Sequence, residues 1–330
     1  PGVDDWARIN KEIPRLVSVL PIGPVNYPTA DVFMAGGVPE VMLHLRKLGV
    51  LHEEVMTVTG STLGENLDWW ESSERRRICR DRLEKVEKIH PDQIIFSPQQ
   101  AKEKGIGSTV TFPTGNLAPE GSVVKSTAID PSVIDADHIF RHTGKAKVFT
   151  SEKAAIAALK TAKIEAGDIM VVMGGGPLGT GMEETYQLTS ALKHLPFGKH
   201  VSLITDARFS GVSTGACFGH VGPEALAGGP IGKLRDGDVI EIIVDTKNLE
   251  GSLNFIGSEN EKLSYAEGAK VLAGRSCHPE VCPDPDLPED TRLWAALQDV
   301  SGGAWKGNVY DVEKIIAVLE AGKKALSKND

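Results

Sequence analysis

Two short segments hold most of the residue types that could do chemistry. The first runs Val171-Val172-Met173-Gly174-Gly175-Gly176-Pro177-Leu178-Gly179-Thr180-Gly181-Met182-Glu183-Glu184. Glycines let backbone pass close to a ligand or metal without a Cβ in the way, and these lead into paired carboxylates, Glu183 and Glu184. A pair of surface glutamates is the plain alternative. Gly174, Gly176 and Gly179 also satisfy the dinucleotide-binding spacing, so a nicotinamide-dependent oxidoreductase is one class to weigh. Pro177 stands where the helix of that motif should open. The next strand ends at Asp206, 27 residues past Gly179, so an acid at the motif's distance is missing.

The second segment, Leu203 to Gly215, ends a strand in a loop holding Arg208, Ser210, Ser213 and Thr214. Hydroxyls and a guanidinium at a strand end suit an anionic substrate. Ser-Gly and Ser-Thr-Gly are equally ordinary turn sequences. Two further groups are weaker. Asp135, Asp137, His138 and His142 match no common metal-ligand spacing, and Arg141 is a poor neighbour for a cation, so a polar loop is expected there. Cys277, His278 and Cys282 lie among prolines and read as loop residues.

The elements that must carry these segments change character along the chain. Residues 28–95 read as mainly helical: Val41, Met42, Leu45 and Leu48 recur at helical spacing between Pro39 and Gly49. Residues 69–90 interleave arginines with acids, as a solvated helix face does. Past residue 105, β-rich runs alternate with glycine turns at 108–112, 122–125, 145–149, 168–173, 201–205 and 239–244. A helix follows Ser151, with Ala155, Ile156 and Leu159 on one face. Another covers 311–326, with Ile315, Ile316, Leu319 and Leu326 expected inward. Irregular strand spacing with few helices points to an α/β chain whose second part is a β-barrel-like, swivelling β/α domain. The expected division is 1–105 and 106–330.

The 330 residues are 41% hydrophobic and 25% charged, with net charge −9. That composition gives no attraction to nucleic acid or an anionic membrane. No apolar run approaches the ~18 residues of a membrane span. Four scattered cysteines make no disulfide framework, which suits a reducing, cytoplasmic setting. The chain starts without Met, so a longer gene product is expected.

Taken in order, several motifs resemble one family. They are Ala35-Gly36-Gly37-Val38-Pro39, Thr57-Val58-Thr59-Gly60 with Thr62-Leu63-Gly64-Glu65-Asn66, and Gly115-Asn116-Leu117-Ala118-Pro119-Glu120-Gly121. Gly176-Pro177 leading to Gly181-Met182-Glu183-Glu184, Thr205-Asp206-Ala207-Arg208-Phe209-Ser210-Gly211, and Pro223-Glu224-Ala225 with Gly228-Gly229-Pro230-Ile231 and Asp236-Gly237-Asp238 complete them. The chain is similar to the dihydroxy-acid and phosphogluconate dehydratases. Glu65-Asn66-Leu67-Asp68-Trp69-Trp70 and Met182-Glu183-Glu184-Thr185-Tyr186-Gln187-Leu188 bring it nearest to the pentonate branch, the D-xylonate dehydratases.

The resemblance implies loss of water from a 2,3-dihydroxy sugar acid to give a 2-keto-3-deoxy acid. It implies Mg2+ on the substrate carboxylate and an open iron of a [2Fe–2S] cluster as Lewis acid for the departing hydroxyl. Residue by residue, it makes Glu184 a magnesium ligand, with Glu183 one position out of register. It makes Ser210 the base, which a hydroxyl can be only beside cations that stabilise its alkoxide. Ser213 and Thr214 fall where the family holds substrate. The cluster cysteines, the other magnesium ligands and a modified lysine belong to the family's N-terminal half and have no match here. Asp206-Ala207-Arg208 also departs from the more common Asp-Gly-Arg.

Residues 1–105 are therefore expected to end the α/β cluster-binding domain. The partners implied are the N-terminal half of the same protein and further copies, as a homodimer or homotetramer, and the 330 residues alone are expected to be inactive. Dihydroxy-acid dehydration in branched-chain amino-acid synthesis is the alternative within the family. A non-catalytic partner-binding module is the alternative outside enzymes.

Overall fold

The structure, a computed structural model, describes residues 3–23 and 25–327. The chain divides into two compact units, one of Ile9–Thr109 and one of Val110–Asp330 with Pro1–Arg8.

The first unit is helical. It begins with the last residues of α1 (Val3–Glu12), whose start belongs to the other unit, and continues with α2 (Thr29–Ala35), α3 (Gly37–Lys47), α4 (Leu63–Ser72), α5 (Glu74–Arg82) and α6 (Pro98–Glu103). The α4 start is a capping box: Thr62 Oγ1 accepts from Glu65 N, and the Glu65 carboxylate accepts from Thr62 N. The arginine-rich stretch is not wholly a solvated face. Arg76 binds Glu40 through two hydrogen bonds of 2.7 and 2.8 Å, and Arg80 lies 3.4 Å from the same carboxylate. Burial alone would raise the Glu40 pKa, but these two guanidiniums hold it below the ordinary glutamate value.

The second unit is built on a nine-stranded sheet. Its strands are β1 (Val110–Thr111), β2 (Gly121–Lys125), β3 (Ile139–Phe149) and β4 (Ile169–Val172), with β5 (Glu184–Thr185) lying outside it. They continue with β6 (Ser202–Thr205), then β7 (Arg208–Phe209), also outside, then β8 (Cys217–Gly222), β9 (Asp238–Asp245), β10 (Glu250–Ser258) and β11 (Glu261–Lys262). The order is β1-β2-β8-β6-β4-β3-β9-β10-β11, and β5 pairs with β7 as a separate ribbon. The four central strands β8, β6, β4 and β3 are parallel, and both flanks are antiparallel. The sheet curls so far that Thr114, just past β1, bridges Ser252 in β10. A mixed α/β unit with a large curled sheet is thus in place.

Side-chain alternation sorts the strands between two cores. Ile169, Val171 and Met173 join Ile204, Phe218, Ile240 and Ile242 inside the curl. Met170 and Val172 join Leu203 and Cys217 on the other face, under α7 (Glu152–Lys160) and α9 (Gln187–Lys193), with Ala155, Ala158, Leu188 and Leu192 contributing to the cluster; the short α8 (Pro177–Thr180) lies between them in the chain. Both faces of β4 are covered, which is why it reads as an unbroken apolar run. The chain closes with α10 (Tyr265–Gly274), α11 (Glu289–Val300) and α12 (Val312–Leu326).

Two local expectations differ from the structure. The polar stretch at 139–142 opens the long strand β3, its ends paired in succession with β9 and β4, and Asp135 caps it by accepting from Ile139 N. In α12 the apolar face is not inward: Ile316, Leu319 and Leu326 are 44, 57 and 70% exposed. Periodicity reports that a face is apolar, not whether another element covers it. Among the described residues no helix is long and apolar enough to cross a membrane.

Candidate active site

The two candidate segments leave neighbouring central strands at the same end. The Gly174–Glu184 turn follows β4, and the Asp206–Gly215 loop follows β6, which is parallel to β4. Loops at the carboxyl ends of parallel strands are where open α/β sheets place ligands. Here the loops also pair with each other. β5 and β7 run parallel, with Glu184 opposite Arg208 and Thr185 opposite Phe209.

That register decides which side chains meet. Alternation along a strand puts Glu184 and Arg208 on one face and Thr185 and Phe209 on the other. Glu184 and Arg208 are exposed, Thr185 is only 2% exposed, and Ser210, just past the end of β7, is half-buried. Phe209 turns inward onto Gly219, where a Cβ would sit 2.4 Å from its ring. The candidate metal ligand thus stands opposite Arg208, which is two residues before the candidate base. Glu183 belongs to the opposite face, where it lines a cavity of about 230 Å³ with Glu152, Thr185 and Asp284. Burial first, then the charges of Glu152 and Asp284, raise the Glu183 pKa.

Buried carboxylates hold this arrangement. Asp206, 2% exposed, accepts from Gly174 N at 3.1 Å, Gly175 N at 3.0 Å and Ala225 N at 2.9 Å, tying two loops to the end of β6. Burial pushes its pKa up, and the three N–H groups pull against that. Glu224 accepts from Leu178 N with both oxygens at 3.1 Å, and burial pushes its carboxyl up to about 7. Gly176 is required here, because a Cβ would lie 2.2 Å from Glu224 Oε2. Met182 holds φ at 74°, a rare conformation for a side-chain-bearing residue, immediately before the two glutamates.

The same contacts answer the dinucleotide reading. The N–H groups of Gly174, Gly175 and Leu178 are occupied by protein carboxylates, and α8 is only four residues long. A pyrophosphate would have to displace two carboxyl groups to reach them.

Around Ser210 a cation appears that the motifs did not point to. Lys125, at the end of β2, donates from Nζ to Ser210 O at 3.1 Å and Gly211 O at 2.8 Å. The same Nζ stands 5.4 Å from the centre of the Phe209 ring. Burial lowers its pKa. Ser210 Oγ takes only a long bond, 3.4 Å, from Val212 N. Thr214, four residues on, is half-buried. Ser213, expected from the resemblance at the substrate, is 3% exposed, and its hydroxyl pairs with Thr189 Oγ1 at 2.8 Å.

For a hard cation the exposed Glu184 carboxylate is a suitable oxygen donor, and it is a single ligand. Among the described residues no group of three or more His, Cys, Asp or Glu could hold a metal ion. The thiols do not fit a [2Fe–2S] site either. Cys217 is buried, with its pKa pushed up to about 12, and Cys277 lies against Ala225 O. His278 accepts from Glu280 N, an ordinary loop contact.

Comparison with known proteins gives a consistent result. Residues 2–66 match the N-terminal model of the dihydroxy-acid/6-phosphogluconate dehydratases, and residues 94–269 match the C-terminal model. The chain is 66% identical over 321 residues to D-xylonate dehydratase YjhG of Escherichia coli (strain K12), covering 97% of this chain and 49% of that protein. It is 65% identical over 326 residues to D-xylonate dehydratase YagF of the same strain, covering 99% and 50%. It is 38% identical over 271 residues to the dihydroxy-acid dehydratase of Solidesulfovibrio magneticus, covering 82% and 44%. The chain spans about half the length of the curated relatives it matches. The C-terminal model alone accounts for more than half of the chain, and the protein belongs to the dihydroxy-acid/6-phosphogluconate dehydratase family.

Proposed function

We propose that this chain supplies the base and one metal ligand of a sugar-acid dehydratase of the D-xylonate type. The observation that supports this most is the β5–β7 register, which pairs Glu184 with Arg208, two residues before Ser210. Identity of 65–66% with two D-xylonate dehydratases, against 38% with a dihydroxy-acid dehydratase, favours a pentonate over a branched acid.

The substrate carries a carboxylate next to C2, so removing the C2 proton piles negative charge onto an anion. Bound Mg2+ would neutralise that charge, and Glu184 would hold it from this chain. Arg208 adds a guanidinium on the same face for the substrate carboxylate. Ser210 Oγ accepts the C2 proton. The C2–H electron pair forms the C2=C3 double bond as the C3 hydroxyl departs, leaving as water with the proton that Ser210 took from C2, which returns Ser210 to its base form. The resulting enol tautomerises to the 2-keto-3-deoxy acid. Lys125 keeps the Ser210–Gly211 carbonyls in place and brings a positive charge to the residue that must become an alkoxide. Thr214 is the remaining hydroxyl available to a substrate, whereas Ser213 pins the loop. In this reading the other magnesium ligands and the [2Fe–2S] cysteines belong to the part of the protein that matches the relatives' other half.

The test is Ser210→Ala in the complete dehydratase, assayed with pentonates, hexonates and branched dihydroxy acids. Turnover should fall at least ~1,000-fold, with cluster absorbance unchanged, as for loss of a proton-transfer group. Near-normal turnover would reduce Ser210 to a loop residue.

A further inference from the structure

The family's C-terminal model ends at residue 269, yet the chain continues and packs back onto the Glu184-bearing turn. The D-xylonate dehydratases align over 97 and 99% of the chain, and the dihydroxy-acid dehydratases over 76–82%. We propose that residues 278–291 form a positioning strap that clamps the 174–184 turn and so sets where Glu184 stands. The proposal rests on the dehydratase reading for its catalytic consequence.

Three contacts make the clamp. Asp284 N donates to Gly179 O at 2.8 Å. Val281 Cγ1 lies 3.5 Å from where a Gly174 Cβ would be. Thr291 Cγ2 and Leu287 Cδ1 cover Gly181, at 2.7 and 3.7 Å from its Cβ position. The strap is itself anchored, since His278 N donates to Gly232 O at 2.7 Å and Leu287 N to Asp284 O at 3.1 Å. The turn needs such support. Gly181 and Met182 are both at positive φ, 71 and 74°, and the only regular structure within the turn is the four-residue α8. Backbone strain of this kind persists only where surroundings hold it. Glu224 fixes the start of the turn through Leu178 N, and the strap fixes its end, so the glutamate pair leaves a braced corner.

The strap does not itself offer an anion site. With Glu183 and Glu152, its Glu280 and Asp284 make the cavity behind β5 acidic, which repels a sugar acid. Its contribution is therefore to geometry: a ligand displaced by about 1 Å can cost ~100-fold in rate.

The experiment uses the complete protein and two single changes. Asp284→Pro deletes the N–H donated to Gly179 O, and Leu287→Ala uncovers Gly181. Hydrogen exchange of the Gly179–Glu184 amides, measured without metal, should quicken about tenfold in each, the scale of one lost hydrogen bond or contact. The Mg2+ concentration for half-maximal activity should rise by a similar factor, and Leu287→Met should restore both readouts. Leu293→Ala, in α11 just past the strap and 62% exposed, should change neither. Unchanged exchange in both variants would show that the strap holds nothing. Faster exchange with unmoved magnesium dependence would make it structural only and would equally end the proposal. A wild-type protein inert toward every dihydroxy acid would sink the dehydratase reading, while the clamp is judged on exchange alone.

Discussion

Lys125 offers the sharpest test of how Ser210 is made basic. Lys125→Met in the complete enzyme keeps the side-chain length and removes the charge and both hydrogen bonds to the Ser210 and Gly211 carbonyls. A hydrogen bond to a charged group contributes roughly 1.5–3 kcal/mol net, and partial exposure argues for the low end, so the loop loses about 3 kcal/mol of restraint. The electrostatic part is separable. Nζ touches the carbonyl of Ser210 itself, so Oγ lies within roughly 6 Å; at an effective dielectric of ~20 that is worth about 3 kcal/mol. Solvent access halves it to about one pKa unit. The expected result is a kcat lower by ~100-fold and an alkaline shift of about one unit in the rising limb of its pH profile. Lys125→Arg should restore the position of the limb and only part of kcat. The assay is steady-state dehydration from pH 6 to 10, with circular dichroism and cluster absorbance as controls for folding. A kcat within twofold of wild type, or a large loss with no movement of the limb, would refute the electrostatic argument.

Two further outcomes follow from the site. Glu184→Gln should raise the Mg2+ requirement at least ~10-fold, and Glu183→Gln should not, because Glu184 is paired with Arg208 while Glu183 lines the cavity behind β5; metal titration of activity distinguishes them, and the reverse order would move the ligand by one position. Glu224 has a folded-state pKa raised by burial to about 7 from 4.5, so the fold favours its protonated form. That stability is fully present below pH ~4.5 and is lost as pH rises through 7, roughly 3 kcal/mol in all. Glu224→Gln should flatten this part of the stability–pH curve in urea unfolding, and an unaltered slope would show that the carboxyl is not the group titrating.

The sequence by itself was enough for the family, for the α/β class and for the two loops that matter. Motif order and strand composition are local properties, and each is written in a run of consecutive residues. Ser151 as a helix cap and the apolar run of β4 are legible for the same reason. Other features depend on partners far away in the chain. Lys125 reaches Ser210 across 85 residues, and Asp206 ties its loop to Gly174 and Ala225, so nothing near either residue announces the contact. Which of Glu183 and Glu184 stands opposite Arg208 needed a register, because a one-residue slip turns every side chain of a strand to the other face. Ser213 and Thr214 are adjacent and chemically alike; only packing against Thr189 separates an inward hydroxyl from an accessible one. The apolar stripe of α12 was written in the sequence, and whether any element covers it was decided by tertiary structure alone.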